Sequence, residues 1–306
     1  VTDTEFAREV LAGLRQKQKA LSPKWLYDQR GSELFEEITA VPEYYPTRTE
    51  DGIFDEALPD LAERFSGAAV AEFGSGSSRK SVRLIEAISP SVYVPIDIAA
   101  AFLEEAADGL RTRFLALEVV PQAADFTKAT TLPSAFSEAS SRLGFFPGST
   151  IGNFDTGGAE DFLRESLKTL GTGAAFLVGA DLVKDESVLR AAYDDAGGVT
   201  AAFNLNLLTR INRELGADFD LMHFRHEARW NAQRERIEMH LVSALPQTVT
   251  VAGEEIAFAE GETIHTENSH KYTVDGFEAL AGRAGWRLDR MWTDEKDWFG
   301  VFLLTS

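Results

Sequence analysis

Glu72, Gly74, Ser75, Gly76 and Asp97 have the types and spacing of a nucleoside-binding turn. The run Ala69 to Phe73 reads as a buried strand, Gly74 to Ser78 as a tight turn, and Lys80 to Ile88 as the helix that follows. Glycines at 74 and 76 remove the Cβ atoms that would hold a ligand off the backbone, and the free amides of the helix start face the bound group. Asp97 lies 23 positions beyond Gly74, at the end of the next strand. Doubly wound sheets place there the acid that accepts hydrogen bonds from ribose hydroxyls. A dinucleotide site wants a third glycine, but the run ends in Arg79. Weight therefore shifts to S-adenosylmethionine, whose sites commonly carry an acid just before the turn, as Glu72 is. A ligand-free turn is the plain alternative, against which Asp97 counts.

A second stretch carries different chemistry. If Thr263 to His270 is extended, Glu267 and Ser269 point to one side and Asn268 to the other. A carboxylate beside a hydroxyl can satisfy both nitrogens of a neutral imidazole, which offers one donor and one acceptor. A solvated strand end is the bland reading of the same residues. His223 and His226 are three apart on an extended segment and so face opposite sides, and no metal site is expected. The serines after Gly74 lack the frame of a hydrolase elbow.

Such residues need a scaffold, and the alternation of elements supplies one. Strands at 69–73, 92–96, 118–123, 144–146 and 174–179 alternate with helices at 80–88, 99–112 and 158–170. That rhythm predicts a parallel α/β sheet wound by crossover helices, with ligands beyond the carboxyl ends of its strands. Asp97, Asp125-Phe126, the segment Gly148 to Asn153 and Asp181 all fall at those ends. Asp125 could equally be a helix cap.

The rhythm breaks on both sides of this core. A helix over 5–19, an aromatic stretch around Trp25 and Tyr27, a helix over 31–40 and the loop Val41 to Pro46 precede a helix over 47–65. Trp25, Tyr27, Tyr44 and Tyr45 suit either ordinary packing or a small-molecule pocket. After Asp181 come helices over 189–196 and 199–215, then alternating strands around 223–230 and 236–241 with one wet face. Further β structure over 247–258, a helix over 277–284 and two closing strands follow. The expected architecture is a Rossmann-like α/β sheet with helices on both faces, formed by 50–184 and 271–306, plus an α+β accessory domain from 1–49 and 185–270.

Composition narrows the partners. A net charge of −19 over 306 residues repels a phosphate backbone, so nucleic acid is excluded as a substrate. No run approaches a membrane span and the first residues lack a signal-peptide layout, so a cytoplasmic protein without membrane partners is expected. The absence of cysteine removes disulfides, thiolate nucleophiles and thiolate metal ligands. A monomer is expected.

Several stretches together resemble the actinobacterial-type histidine Nα-methyltransferases that make hercynine for ergothioneine synthesis. They are Trp25 to Asp28, Pro42 to Glu50, Glu72 to Gly76, Gly148 to Asn153, Asp181 to Asp185, Ala192 to Asp195, Gly198 to Asn204 and Arg236 to Met239. The resemblance implies that Gly74, Lys80, Asp97, Asp125 and Phe126 hold S-adenosylmethionine, with Glu72, Ser75 and Gly76 completing that site. It implies that Asn153 and Tyr193 grip the amino-acid carboxylate, that Gly148 and Tyr27 lie near the amine, that Tyr44, Glu267 and Ser269 read the imidazole, and that Met239 lines the pocket. Tyr27, Gly148 and Asn153 are then the residues nearest the reacting amine. Related fungal enzymes methylate a tryptophan derivative, but an indole has one donor and no ring acceptor, which leaves Glu267 partly unused. The chain departs from the family pattern at Asn268, where an apolar residue is usual, and at Phe146-Pro147 before Gly148. A methyltransferase acting on another amine, and a non-catalytic S-adenosylmethionine sensor, are the rival readings.

Overall fold

The computed structural model describes residues 4–75, 79–98 and 100–306. The chain packs as two compact units. One joins Pro46–Val183 to Lys271–Ser306, the other Val1–Tyr45 to Lys184–His270. Helix Tyr45–Phe65 begins at the first crossing between them, two residues before the helix start expected from the sequence.

The Pro46–Val183 unit holds an eight-stranded sheet. Its spatial order is Arg287–Thr293, Phe299–Thr305, Ala175–Asp181, Arg142–Phe146, Ala69–Phe73, Val92–Asp97, Glu118–Val119, with Gln122–Ala123 also on Val92–Asp97. Ala69–Phe73 runs parallel to both Val92–Asp97 and Arg142–Phe146, and the chain winds outward in both directions from that pair. A topological switch point of this kind opens a crevice at the carboxyl ends of the strands. The last two strands are antiparallel additions. A single strand over 118–123 does not form. Pro121 has no N–H to give the ladder, and two short strands flank it.

Both faces of this sheet are covered, which is why its strands read as unbroken apolar runs. Ala69, Ala71, Phe73, Val94 and Phe146 face Phe162, Leu163, Phe277 and Trp286. Val70, Tyr93, Leu143 and Phe145 face Ile53, Phe54, Leu61, Leu84 and Ile88. The period of two divides each strand between the two cores. At Gly144 a Cβ would stand 2.4 Å from Leu170 and 2.6 Å from Phe176, so only glycine lets that helix and ring approach the strand.

The other unit holds a four-stranded sheet ordered Lys19–Ala20, Thr263–His270, Arg236–Ser243, Phe224–Asn231, and a separate hairpin Gln247–Val251 with Glu254–Phe258. Helices Glu5–Leu14, Gln29–Thr39, Glu186–Tyr193 and Val199–Leu215 accompany it. The first helix stops at Leu14 rather than near Lys19, because Lys19 and Ala20 pair in parallel with Ile264 and His265. The next helix starts at Gln29 because the Asp28 carboxylate caps it on the Gly31 N–H at 2.8 Å. Among the described residues no helix is long and apolar enough to cross a membrane.

Candidate active site

In the unit that contains residues 184–270, strand Thr263–His270 turns Glu267 and Ser269 to one buried face, 8% and 4% exposed. A register shift between His265 and Glu267 sets this phase, and Met239 pairs directly opposite Glu267. Ser269 Oγ lies 2.7 Å from the Tyr193 hydroxyl. Tyr193 in turn packs edge-on against Tyr44, ring centroids 5.9 Å apart. Phe35 links Tyr44 to Tyr27 at 6.4 and 5.7 Å, and Phe203 closes on Tyr27 at 5.4 Å. Tyr27, Tyr44, Tyr193, Met239, Glu267 and Ser269, expected together from the sequence, therefore gather in one unit. Loss of solvent, and then the Glu267 carboxylate with Tyr44 and Tyr193, push the Tyr27 phenol well above its ordinary value. Tyr27 as a whole is 39% exposed.

Behind Tyr193 lies a pair the sequence reading missed. Asn204 Nδ2 is 2.9 Å from His226 Nδ1, and His226 Nε2 is 2.7 Å from the Tyr193 carbonyl. An amide NH₂ only donates and a carbonyl only accepts, so His226 is neutral with its proton on Nε2. Burial lowers its pKa and keeps it so. His223, weighed with it as a metal ligand, is partly exposed near Asp220, whereas His226 is buried. On the sheet's other face Glu238, His240 and His265 bring one ligand atom each within 4.8 Å. Arg236 holds Glu238 Oε1 at 2.6 Å and His265 Nε2 faces the Glu267 carbonyl at 3.1 Å, while the buried His240 Nδ1 has no hydrogen-bond partner among the described residues.

The other unit carries Gly74, Asp97, Asp125 and Phe126, the residues expected from the sequence to hold S-adenosylmethionine. Gly74 ends its strand at φ +68°, and a Cβ there would stand 3.4 Å from the Phe126 ring. Its N–H and that of Ser75 both donate to the Ile96 carbonyl, which binds the turn to the neighbouring strand. Asp97 and Asp125 are half-buried at adjacent strand ends. Burial would raise Asp125, but hydrogen bonds from Thr127 and Lys128 hold it below the usual range. Bare backbone at Gly74, flanked by a phenyl ring and two acids at the switch point, suits a nucleoside with ribose hydroxyls. Gly76 lies outside the described residues.

Three expected ligand residues turn inward. Glu72 is fully buried, accepting from Ser81 Oγ at 2.9 Å and the Tyr93 hydroxyl at 2.6 Å. Burial raises it to about 7 against those hydrogen bonds. It fixes the start of helix Arg79–Ile88 from beneath the turn. Ser75, also buried, has Oγ 3.4 Å from that Tyr93 hydroxyl. Lys80 places Nζ 2.8 Å from Glu50 Oε2. Burial would lower its pKa, and Glu50 and Asp51 raise it instead. Gly148, at φ +82°, gives its N–H to the Glu50 carboxylate, and Asn153 ends the short 3₁₀ helix Thr150–Asn153, half-buried.

The chain is similar to known proteins along nearly its whole length. The family described as histidine-specific, S-adenosylmethionine-dependent methyltransferase matches residues 6–306. A histidine N-alpha-methyltransferase of Mycolicibacterium smegmatis is 41% identical over 97% of this chain and 93% of its own. Ergothioneine biosynthesis protein 1 of Neurospora crassa is 29% identical over 92% of this chain and 32% of its own. A crystal structure of a Pyrococcus horikoshii protein shares the fold at a TM-score of 0.50, with 10% identity over 91% of this chain and 99% of that one.

Proposed function

This chain belongs to the histidine-specific, S-adenosylmethionine-dependent methyltransferase family, and we propose that it methylates the α-amine of L-histidine three times, giving hercynine for ergothioneine synthesis. The observation that carries the choice of substrate is the buried Glu267 and Ser269 pair with Tyr193 on the serine hydroxyl. A carboxylate accepts the imidazole N–H. If Tyr193 donates to Ser269, the serine proton is left to meet the other ring nitrogen.

S-adenosylmethionine supplies a methyl group already activated on a sulfonium. Gly74, Asp97, Asp125 and Phe126 would hold it, Asp97 through the ribose hydroxyls. The remaining work is placement, which can contribute about 7–11 kcal/mol when a nucleophile is held at attack distance. With its proton given to Ser269, Tyr193 would line the side-chain pocket with Met239 and Tyr44, and the substrate carboxylate would fall to Asn153. The amine must be neutral to attack. Tyr27, pushed upward, keeps its proton at physiological pH and so serves as a hydrogen-bonding partner for the amine, while water takes the departing protons.

Incubation with S-adenosylmethionine and each free amino acid tests this reading by mass spectrometry. Mono-, di- and trimethylated histidine are expected, with tryptophan a poor competitor. Efficient turnover of tryptophan with no methylated histidine would reject the substrate, and cofactor binding without any turnover would make the protein a sensor.

A further inference from the structure

We propose that Glu50 is a positioning residue that fixes Lys80 and the Gly148 backbone as one piece, setting the donor site and the loop beside it together. Glu50 lies in the first turns of helix Tyr45–Phe65 and is 2% exposed. Its two oxygens take the Gly148 N–H at 2.9 and 3.0 Å, and Oε2 also meets Lys80 Nζ at 2.8 Å. Space for this carboxylate comes from strand Ala175–Asp181, where a Cβ on Gly179 would sit 2.1 Å from Glu50 Oε1. The far side of the same loop is held in a matching way. Ser149 Oγ accepts the Asp181 N–H at 2.9 Å, and Asp181 pairs with the fully buried Lys271 at 2.7 Å.

Fold stability alone is a poor reason for this arrangement. Replacing a buried ion pair by apolar side chains of similar volume is often neutral or stabilising. Here the charges stand instead at the carboxyl ends of the strands, where a doubly wound sheet takes its ligands. A carboxylate that accepts a backbone N–H and an ammonium together sets two elements at once through charge-assisted bonds. Glu50 touches no substrate in this assignment. It acts through Lys80, which would otherwise swing on a flexible stem, and through Gly148, whose left-handed backbone has no side chain to hold it. The inference rests on reading the Gly74 turn as the donor site.

Calorimetric titration with S-adenosylhomocysteine tests it, using wild type, Glu50→Gln, Glu50→Asp and the double variant Glu50→Leu with Lys80→Met. Glu50→Gln should lose about tenfold to a hundredfold in affinity, the range for a lost hydrogen bond to a charged group. Glu50→Asp should recover part of it. The double variant leaves no charge uncompensated and loses only the acceptor of the Gly148 N–H, so it should remain folded with a thermal midpoint lowered by that one bond, yet bind weakly. Wild-type affinity in Glu50→Gln, or in the folded double variant, would overturn the proposal and leave Glu50 a structural residue. Histidine turnover enters no arm of this test. A wild type inactive on histidine would fail the substrate reading while the affinity ratio still decides on Glu50.

Discussion

At Glu267 one proton acceptor separates a site for imidazole from a site for any flat ring. Glu267→Gln keeps the shape and removes the charge, and kcat/KM for histidine should fall by about tenfold to a hundredfold, with the histidine-to-tryptophan ratio falling with it in a competition assay. Unchanged ratios would move the imidazole elsewhere. Tyr27→Phe tests the proton assignment. Because the phenol is pushed above its ordinary value, the rise of activity with pH belongs to the substrate amine. The rising limb of the Tyr27→Phe pH–rate profile should lie where it does in wild type, with a lower plateau. Glu267 and Ser269 were legible as neighbours because residues two apart on a strand share a face. Asn204 and His226 were not, being 22 positions apart, nor Glu50 and Gly148 at 98. Nothing local to either residue type announces such a partner, and Glu72, read as a ligand residue from its place before the turn, is used beneath it.

Between elements, glycines mark where backbones had to come close. Gly144→Ala would drive a methyl group into Leu170 and Phe176, and overpacking of this kind costs about 1–3 kcal/mol. Gly52, inside helix Tyr45–Phe65 with nothing within 4 Å of its would-be Cβ, gives the opposite expectation. Gly52→Ala should stabilise by about 0.4–1 kcal/mol. Denaturant titration of the two variants checks both signs. The order of elements was readable from hydrophobic runs and helical spacing, since a sheet covered on both faces leaves long apolar strands. Their ends were less so. The first helix stops at Leu14 because a partner strand about 245 residues away claims the residues that follow, as the bond from Gln18 to the Thr263 carbonyl marks, and no local propensity contains that fact.

Across the molecule the acids with shifted pKa values give pH responses of opposite sign. Glu72 is raised from 4.5 to about 7, by burial against its two hydrogen bonds. Its contribution to stability is full below pH 4.5 and is lost as pH rises through about 7. Glu227, through Arg229 and Arg225, and Glu238, where Arg236 and Asn231 outweigh burial, are both lowered to about 2. Their contribution is present above pH 4.5 and is lost as pH falls toward 2. Calorimetric scans should show the thermal midpoint of Glu72→Gln declining less between pH 4.5 and 7 than that of wild type. Glu238→Gln should flatten the acid limb instead.

The parallel pairing of Lys19 and Ala20 with Ile264 and His265 also bears on how the protein is made. A ribosome adding roughly 5–20 residues per second releases the first of these strands on the order of 12–50 s before the second exists. Over that interval the segment around Lys19 and Ala20 has no sheet to join, and the backbone groups that later form its ladder are left to water.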